Sequence, residues 1–175
     1  MNTIEKAASR TWLAAATVRE LLAYDPKTGV FTWRPRQGLK SWNARYAGTA
    51  AGSVKPSGYI VIRLFGLGWL AHRLAWLYMT GEWPPAEIDH RDRDKINNRW
   101  ANLREATPAQ NQCNKHLPLG QSGQRGVRFH RQSQKWQARI RVQGQHKSLG
   151  YFATAAEAGA AYQTAAIQHH GEFRG

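Results

Sequence analysis

Ile88-Asp-His-Arg-Asp-Arg-Asp-Lys-Ile-Asn-Asn-Arg-Trp-Ala-Asn-Leu-Arg-Glu-Ala-Thr-Pro-Ala-Gln-Asn-Gln-Cys-Asn114 is the stretch on which the reading of this chain turns. The chain carries 25 Lys and Arg against 11 Asp and Glu, a formal charge of +14. Yet Glu82, Glu87, Asp89, Asp92, Asp94 and Glu105 all fall within or just before that stretch. A strongly basic field gathers polyanions, and a carboxylate inside it can hold a hard divalent cation against phosphate oxygens. The pattern points to nucleic acid and to metal-assisted phosphodiester chemistry.

The bland alternative is that Asp89, Asn97, Asn98 and Asn102 merely build Asx-turns in a surface loop. Working outward on the C-terminal side, Thr107 followed by Pro108 reads as N-cap and first helical residue, which puts Asn111 one turn into a helix and Asn114 three residues further, on nearly the same face. On the N-terminal side, Ala71–Met79 favours a helix ended by Gly81 and the Pro84-Pro85 pair. Gly58–Leu64 is a β-branched strand, 34–57 reads as a loop, and Asp25–Gly29 is a turn entering the strand Val30–Trp33. Thr17-Val-Arg-Glu20 has the spacing of a capping box and predicts a short helix. Residues 1–16 are left as a candidate disordered N-terminus.

Rival classes are weaker. No apolar run approaches the roughly 18 residues of a membrane helix, and no strongly amphipathic basic helix is evident, so no membrane partner is expected. The single cysteine, Cys113, cannot form an internal disulfide, and no Cys-x-x-Cys pair exists for structural zinc. The Ala-rich segment 13–18 is closed by Arg19 and Glu20 before it can serve as a secretory signal. The expectation is a soluble, cytoplasmic protein with no obligate protein partner.

In residue order, 88–114 resembles the ββα-metal core of HNH endonucleases, especially the phage and intron homing branch. The matching elements are Asp89-His90, Asn97-Asn98, Asn102-Leu103-Arg104 and Asn111, with His72-Arg73-Leu74 and Gly81-Glu-Trp-Pro84 upstream. The resemblance implies that Asp89 and Asn111, with Asn114 as fallback, ligate Mg²⁺ or Mn²⁺. It implies that His90 is the general base and that Asn102 orients it by a hydrogen bond. Imidazole suits that role because its ordinary pKa lies near neutrality. Asn in place of the family's frequent His at the third position favours Mg²⁺ or Mn²⁺ over Zn²⁺. His72 and Arg73 are candidates for phosphate contact or structural support.

Residues 115–124, with Pro and Gly and no periodicity, read as a linker, separating a nuclease domain, 17–114, from a second module, 125–175. From Glu105 to Glu157 no acidic residue intervenes. Three strands are expected at 126–130, 135–142 and 146–152, followed by a helix behind the Thr154–Glu157 capping box. Period-two alternation sends Trp136, Ala138, Ile140 and Val142 to one face and Gln137, Arg139, Arg141 and Gln143 to the other. Such an Arg- and Gln-bearing ribbon suits a B-DNA major groove; RNA binding is disfavoured because the exposed face lacks stacking aromatics.

This module resembles the ethylene-response-factor type of DNA-binding domain through Gly123-x-x-Gly126-Val-Arg128, Trp136-x-Ala-x-Ile-Arg141, Leu149-Gly-x-Phe152 and His170-Gly-Glu-Phe173. That resemblance implies duplex-DNA contacts from Arg125, Arg128 and Arg141, to which the alternation adds Arg139. The fold class expected is α+β: a ββα-metal core with a small N-terminal sheet, then a three-stranded antiparallel sheet packed on one helix. The functional expectation is a metal-dependent DNA endonuclease; the rival is a non-catalytic DNA-binding regulator with an inactive core.

Overall fold

The computed structural model describes residues 12–114 and 119–173. They form two compact units, Met1–Glu105 and Ala106–Gly175. The first eleven residues and the segment 115–118, within the expected N-terminal and linker stretches, lie outside the described residues.

The first unit opens with α1 (Ala15–Leu21), which begins ahead of the expected start. Its N-cap is Ala14, with no side-chain cap bond, so Thr17 and Glu20 do not form a capping box. Burial decides the start instead: Leu13, Ala15 and Val18 enter the core, and the Leu13 carbonyl accepts a hydrogen bond from Trp83 Nε1 at 3.0 Å. Residues 12–16 are therefore packed structure.

The hairpin β1 (Leu22–Asp25) and β2 (Val30–Trp33) follows, with Leu22 opposite Trp33. At its turn the Asp25 carboxylate accepts from the Lys27 N–H at 2.9 Å and the Thr28 hydroxyl at 2.8 Å. The Thr28 bond, aided by Lys27, holds the Asp25 carboxyl below its ordinary range.

The expected loop 34–57 contains a helix, α2 (Lys40–Tyr46), and a two-residue strand, β3 (Ser53–Val54). The helix buries no residue, so it has no apolar stripe to betray it. β3, β4 (Ile60–Leu64) and β5 (Leu67–Leu70) form an antiparallel sheet in that order. α3 (Ala71–Thr80) buries Leu74, Ala75 and Leu77 and ends at Gly81, whose φ of 88° is the left-handed cap glycine tolerates best. The core runs from Leu13 and Val18 through Leu22, Phe31, Ile62 and Trp69 to Leu74, Leu77, Ile88 and Leu103. The last two anchor a separate pair of strands, β6 (Glu87–His90) and β7 (Leu103–Ala106).

The second unit comprises α4 (Pro108–Asn114), an antiparallel sheet of β8 (Val127–His130), β9 (Lys135–Val142) and β10 (Gln145–Phe152), and α5 (Ala155–His170). β9 is central. α5 starts with the expected capping box, Thr154 and Glu157 each bonding the other's backbone. Small residues on one face, Ala158, Ala165 and Ala166, bury against Val127, Ala138 and Ile140 with Trp136, Leu149 and Tyr162 around them. Both units fit the α+β class, as small antiparallel sheets with short helices.

Candidate active site

Ile88, Asp89 and His90 are all buried, so β6 is covered on both faces where it ends. Asp89 is 5% exposed and His90 4%. A carboxylate so deep must be paired or hydrogen-bonded, and β7 supplies the partner. Arg104 donates to Asp89 Oδ2 from Nε at 2.9 Å and from Nη2 at 2.8 Å, and this ion pair is itself buried. The arrangement fixes the carboxylate plane.

His90 is held from the loop that follows. Its Nε2–H donates to Asn98 Oδ1 at 3.0 Å, and Asn98 is 1% exposed. In that tautomer the lone pair sits on Nδ1. This corrects the expectation that Asn102 orients His90. Asn102 spends its amide elsewhere: Nδ2 donates to Asp92 Oδ1 and to the Asn97 carbonyl, both at 2.8 Å, and Oδ1 accepts from the Asp92 N–H at 3.1 Å. Both amide hydrogens are used, so the group closes the loop and leaves none for the imidazole.

Asp92 anchors the same loop. Partial burial raises its pKa, but hydrogen bonds from Asn102, Asn97 and the Asp94 N–H outweigh that and hold the carboxyl below its usual range. The Asx-turn reading therefore applies to Asp92, Asp94 and Asn97, whose side chains each accept from the N–H two residues on, while Asn102 ties the loop from across it and Asp89 and Asn98 are buried.

The loop rests on the N-terminal hairpin. Tyr24 donates its hydroxyl to the Asn98 carbonyl at 2.6 Å, and the Trp100 N–H bonds the Pro26 carbonyl at 3.0 Å. Burial pushes the Tyr24 phenol well up, so it stays a donor. Gly29, at φ 76°, touches the Asn98–Arg99 backbone so closely that a Cβ there would overlap it. Glycine is required twice over, by the dihedral and by the approach.

A second histidine faces the first. The ring of His72, in the first turn of α3, meets that of His90 edge-on at 5.0 Å, with Tyr59 at 5.1 Å from His72 and 6.1 Å from His90. Burial, then the neighbouring His90 and Arg73, push the His72 pKa down to about 3, so it is neutral, and its Nδ1 has no hydrogen-bond partner among the described residues. Burial and the charges of Glu87 and Asp89 raise the Tyr59 phenol. Arg73 turns the other way, bonding the carbonyls of Ala86 at 3.2 Å and Pro84 at 3.5 Å. It braces the segment entering β6, a structural use.

Asn111 and Asn114 lie on α4, in the second unit, the first half-buried and the second buried. The expected cap is present: the Thr107 N–H donates to Gln110 Oε1 at 2.8 Å, and the Gln110 N–H to Thr107 Oγ1 at 3.3 Å. Among the described residues of the first unit Asp89 is the buried carboxylate. One carboxylate is compatible with Mg²⁺-type binding, where water and substrate phosphate complete the shell. Among the described residues no group of three His, Cys, Asp or Glu side chains could hold a metal.

In the second unit Arg125, Arg128, Arg139 and Arg141 line one hollow of about 1200 Å³. They are not equally placed. Arg125 Nη2 donates to the Cys113 carbonyl at 2.7 Å, and Arg128 Nε donates to Gln137 Oε1 at 3.0 Å. Gln137, expected to point outward, is buried, its amide held by Arg128, Ser148 and Tyr151. Arg141 is exposed, with Nε on the Gly144 carbonyl at 3.1 Å.

Residue order made Asp89 and His90 visible. Asn98, Arg104 and Tyr59 were missed as site residues; the Asn-Leu-Arg triplet put Arg104 on a strand, but alternation sends it to the face opposite Leu103, and both are buried. No helix among the described residues is long and apolar enough to cross a membrane.

Residues 70–113 match the family model described as HNH endonuclease. Among solved structures, one described as DNA binding and cleavage by the HNH homing endonuclease I-HmuI is similar at 23% identity, covering 85% of this chain and 84% of that one, with a TM-score of 0.41. No match was found among curated proteins.

Proposed function

We propose that this chain is a divalent-metal-dependent DNA endonuclease of the homing or phage HNH type. The observation that carries the reading is the buried Asp89–His90 pair, clamped by Arg104 and Asn98 at the end of β6 within the family-matched segment. His90, through Nδ1, takes a proton from the attacking water, and Asn98 keeps the imidazole in that tautomer and orientation. Asp89 would hold Mg²⁺ or Mn²⁺ as the first unit's carboxylate, and the residue-order resemblance names Asn111, or Asn114, as a further oxygen ligand. When bound, the cation supplies charge neutralisation at the phosphate and the leaving 3′ oxygen. Cleavage would leave 5′-phosphate and 3′-hydroxyl ends.

The nuclease domain, 17–114, is read as tethered through 115–124 to an ethylene-response-factor-like module, 125–175. Arg125, Arg128, Arg139 and Arg141 are its candidate duplex contacts; of these Arg128 and Arg141 are exposed, each with only its Nε bonded within the unit. Tethering raises the local concentration of nuclease at its site.

Plasmid relaxation over several DNA sequences, at low salt, tests this. Nicking with Mg²⁺ that disappears with EDTA and with His90→Ala supports the endonuclease. Tight, salt-sensitive duplex binding without any cutting would favour the DNA-binding regulator instead.

A further inference from the structure

Between Asp25 and Glu82 the chain has no acidic residue, while Lys27, Arg34, Arg36, Lys40, Arg45, Lys55, Arg63 and Arg73 fall in that interval. Most of these cations are ordinary surface charges or brace a carbonyl. Arg36 is different. It lines a hollow of about 400 Å³ in the first unit together with Trp33, Trp42, Tyr46 and Arg63. Its guanidinium carbon stands 4.1 Å from the Trp42 ring centre and 5.4 Å from that of Trp33. The two indoles meet edge-on at 5.7 Å.

The guanidinium has no carboxylate or hydrogen-bond partner among the described residues, and its Nε is shut off from solvent unbonded. Nor is it needed to hold its own loop. Asn43 does that, accepting from the Arg36 N–H at 2.7 Å and donating to the Arg36 carbonyl at 2.7 Å.

Indole faces restrain a guanidinium through its flat surface and leave its in-plane N–H donors unspent. A planar fork whose orientation is already fixed loses little freedom when it grips an oxyanion bidentately. A second cation, Arg63, exposed on β4, lines the same hollow. We propose that Arg36, held between Trp33 and Trp42 and assisted by Arg63, is a clamp for a backbone phosphate of duplex DNA on the nuclease unit, separate from the contacts of the second unit. The inference rests on the DNA-nuclease reading and adds a second anchoring point to it.

The test is equilibrium binding of the full chain to a fluorescent duplex in EDTA, across a salt series, for wild type, Arg36→Gln, Arg36→Lys, Trp42→Leu, Arg63→Gln and Arg141→Gln. Losing one phosphate contact should reduce the slope of log affinity against log salt by about 0.9 and weaken binding roughly five-fold near physiological salt. Arg36→Gln and Arg63→Gln should each show this. Arg36→Lys and Trp42→Leu keep the charge of the cluster but lose the oriented plane, so affinity should fall several-fold with the slope nearly unchanged.

If Arg36→Gln unfolds the unit, Arg63→Gln, at an exposed site, carries the same expectation. Arg36→Lys and Trp42→Leu indistinguishable from wild type would mean a diffuse basic field and would overturn the clamp. Weakening by Arg141→Gln alone would also overturn it, while leaving the proposed function standing. A wild-type chain that binds no duplex would overturn both.

Discussion

Removing the Asn98 side chain tests how His90 is poised. Asn98→Ala leaves the Nε2–H of a histidine that is 4% exposed without its acceptor at 3.0 Å. A buried unsatisfied donor costs about 1–3 kcal/mol. The imidazole can escape that cost by turning its ring or changing tautomer, and either move takes the Nδ1 lone pair away from the water it is proposed to deprotonate. If the whole penalty is relieved in this way, the productive orientation becomes about 5- to 150-fold rarer, since each 1.4 kcal/mol is a factor of ten. Single-turnover nicking should therefore slow by roughly that factor, with half-saturation by DNA unchanged because Asn98 is buried. Asn102→Ala is the contrast. It removes the bonds that close the 92–97 loop, so its main effect should be a lower melting temperature. An Asn98→Ala protein that is folded and nicks at the wild-type rate would refute the orientation argument.

Gly29→Ala should destabilise the first unit by about 2–4 kcal/mol, from the positive φ and the overlap with the Asn98–Arg99 backbone, measurable by urea titration. Arg104→Met strands a buried carboxylate and should cost about 3–5 kcal/mol. Asp89→Asn in the same chain should recover part of that stability and none of the nicking, a pattern that a double-mutant cycle reads directly. His72, held at about 3 in the fold, binds its proton mainly in the unfolded chain. Its contribution is complete above the unfolded value near 6.5 and is lost as pH falls toward 3, with a slope of at most about 1.4 kcal/mol per pH unit. Denaturation midpoints of His72→Gln should therefore fall less steeply with acid than those of the wild type; equal slopes would count against a neutral buried His72.

The parts of the fold legible in the sequence were those whose local chemistry and burial agree. The β-branched run before Leu64, the Gly81 stop and the Thr154–Glu157 box each encode their element in adjacent residues, and all three appear. The misses have one cause. At α1, the Thr17–Glu20 spacing lost to the burial of Leu13 and Ala15, a tertiary effect that no local cap reports. At α2, Asn43 holds the Arg36 backbone and an indole stacks on its guanidinium, contacts made across seven residues and with no apolar period to count.

The candidate site divides along the same line. Asp89 and His90 could be read as candidates because residue order singles them out, and β6 buries them side by side. Which asparagine serves His90 could not, because Asn97, Asn98 and Asn102 are chemically equal in a sequence. The choice is made by the hairpin: Tyr24 and Pro26 bond the backbone at Asn98 and Trp100, and Gly29 lies against it. With its backbone pinned there, Asn98 turns its side chain inward to His90, while Asn97 and Asn102 are left to tie the loop through Asp92. The support of the proposed base thus comes from residues more than sixty positions upstream, and a change confined to the hairpin, such as Gly29→Ala, should slow nicking beyond what its loss of folded protein explains.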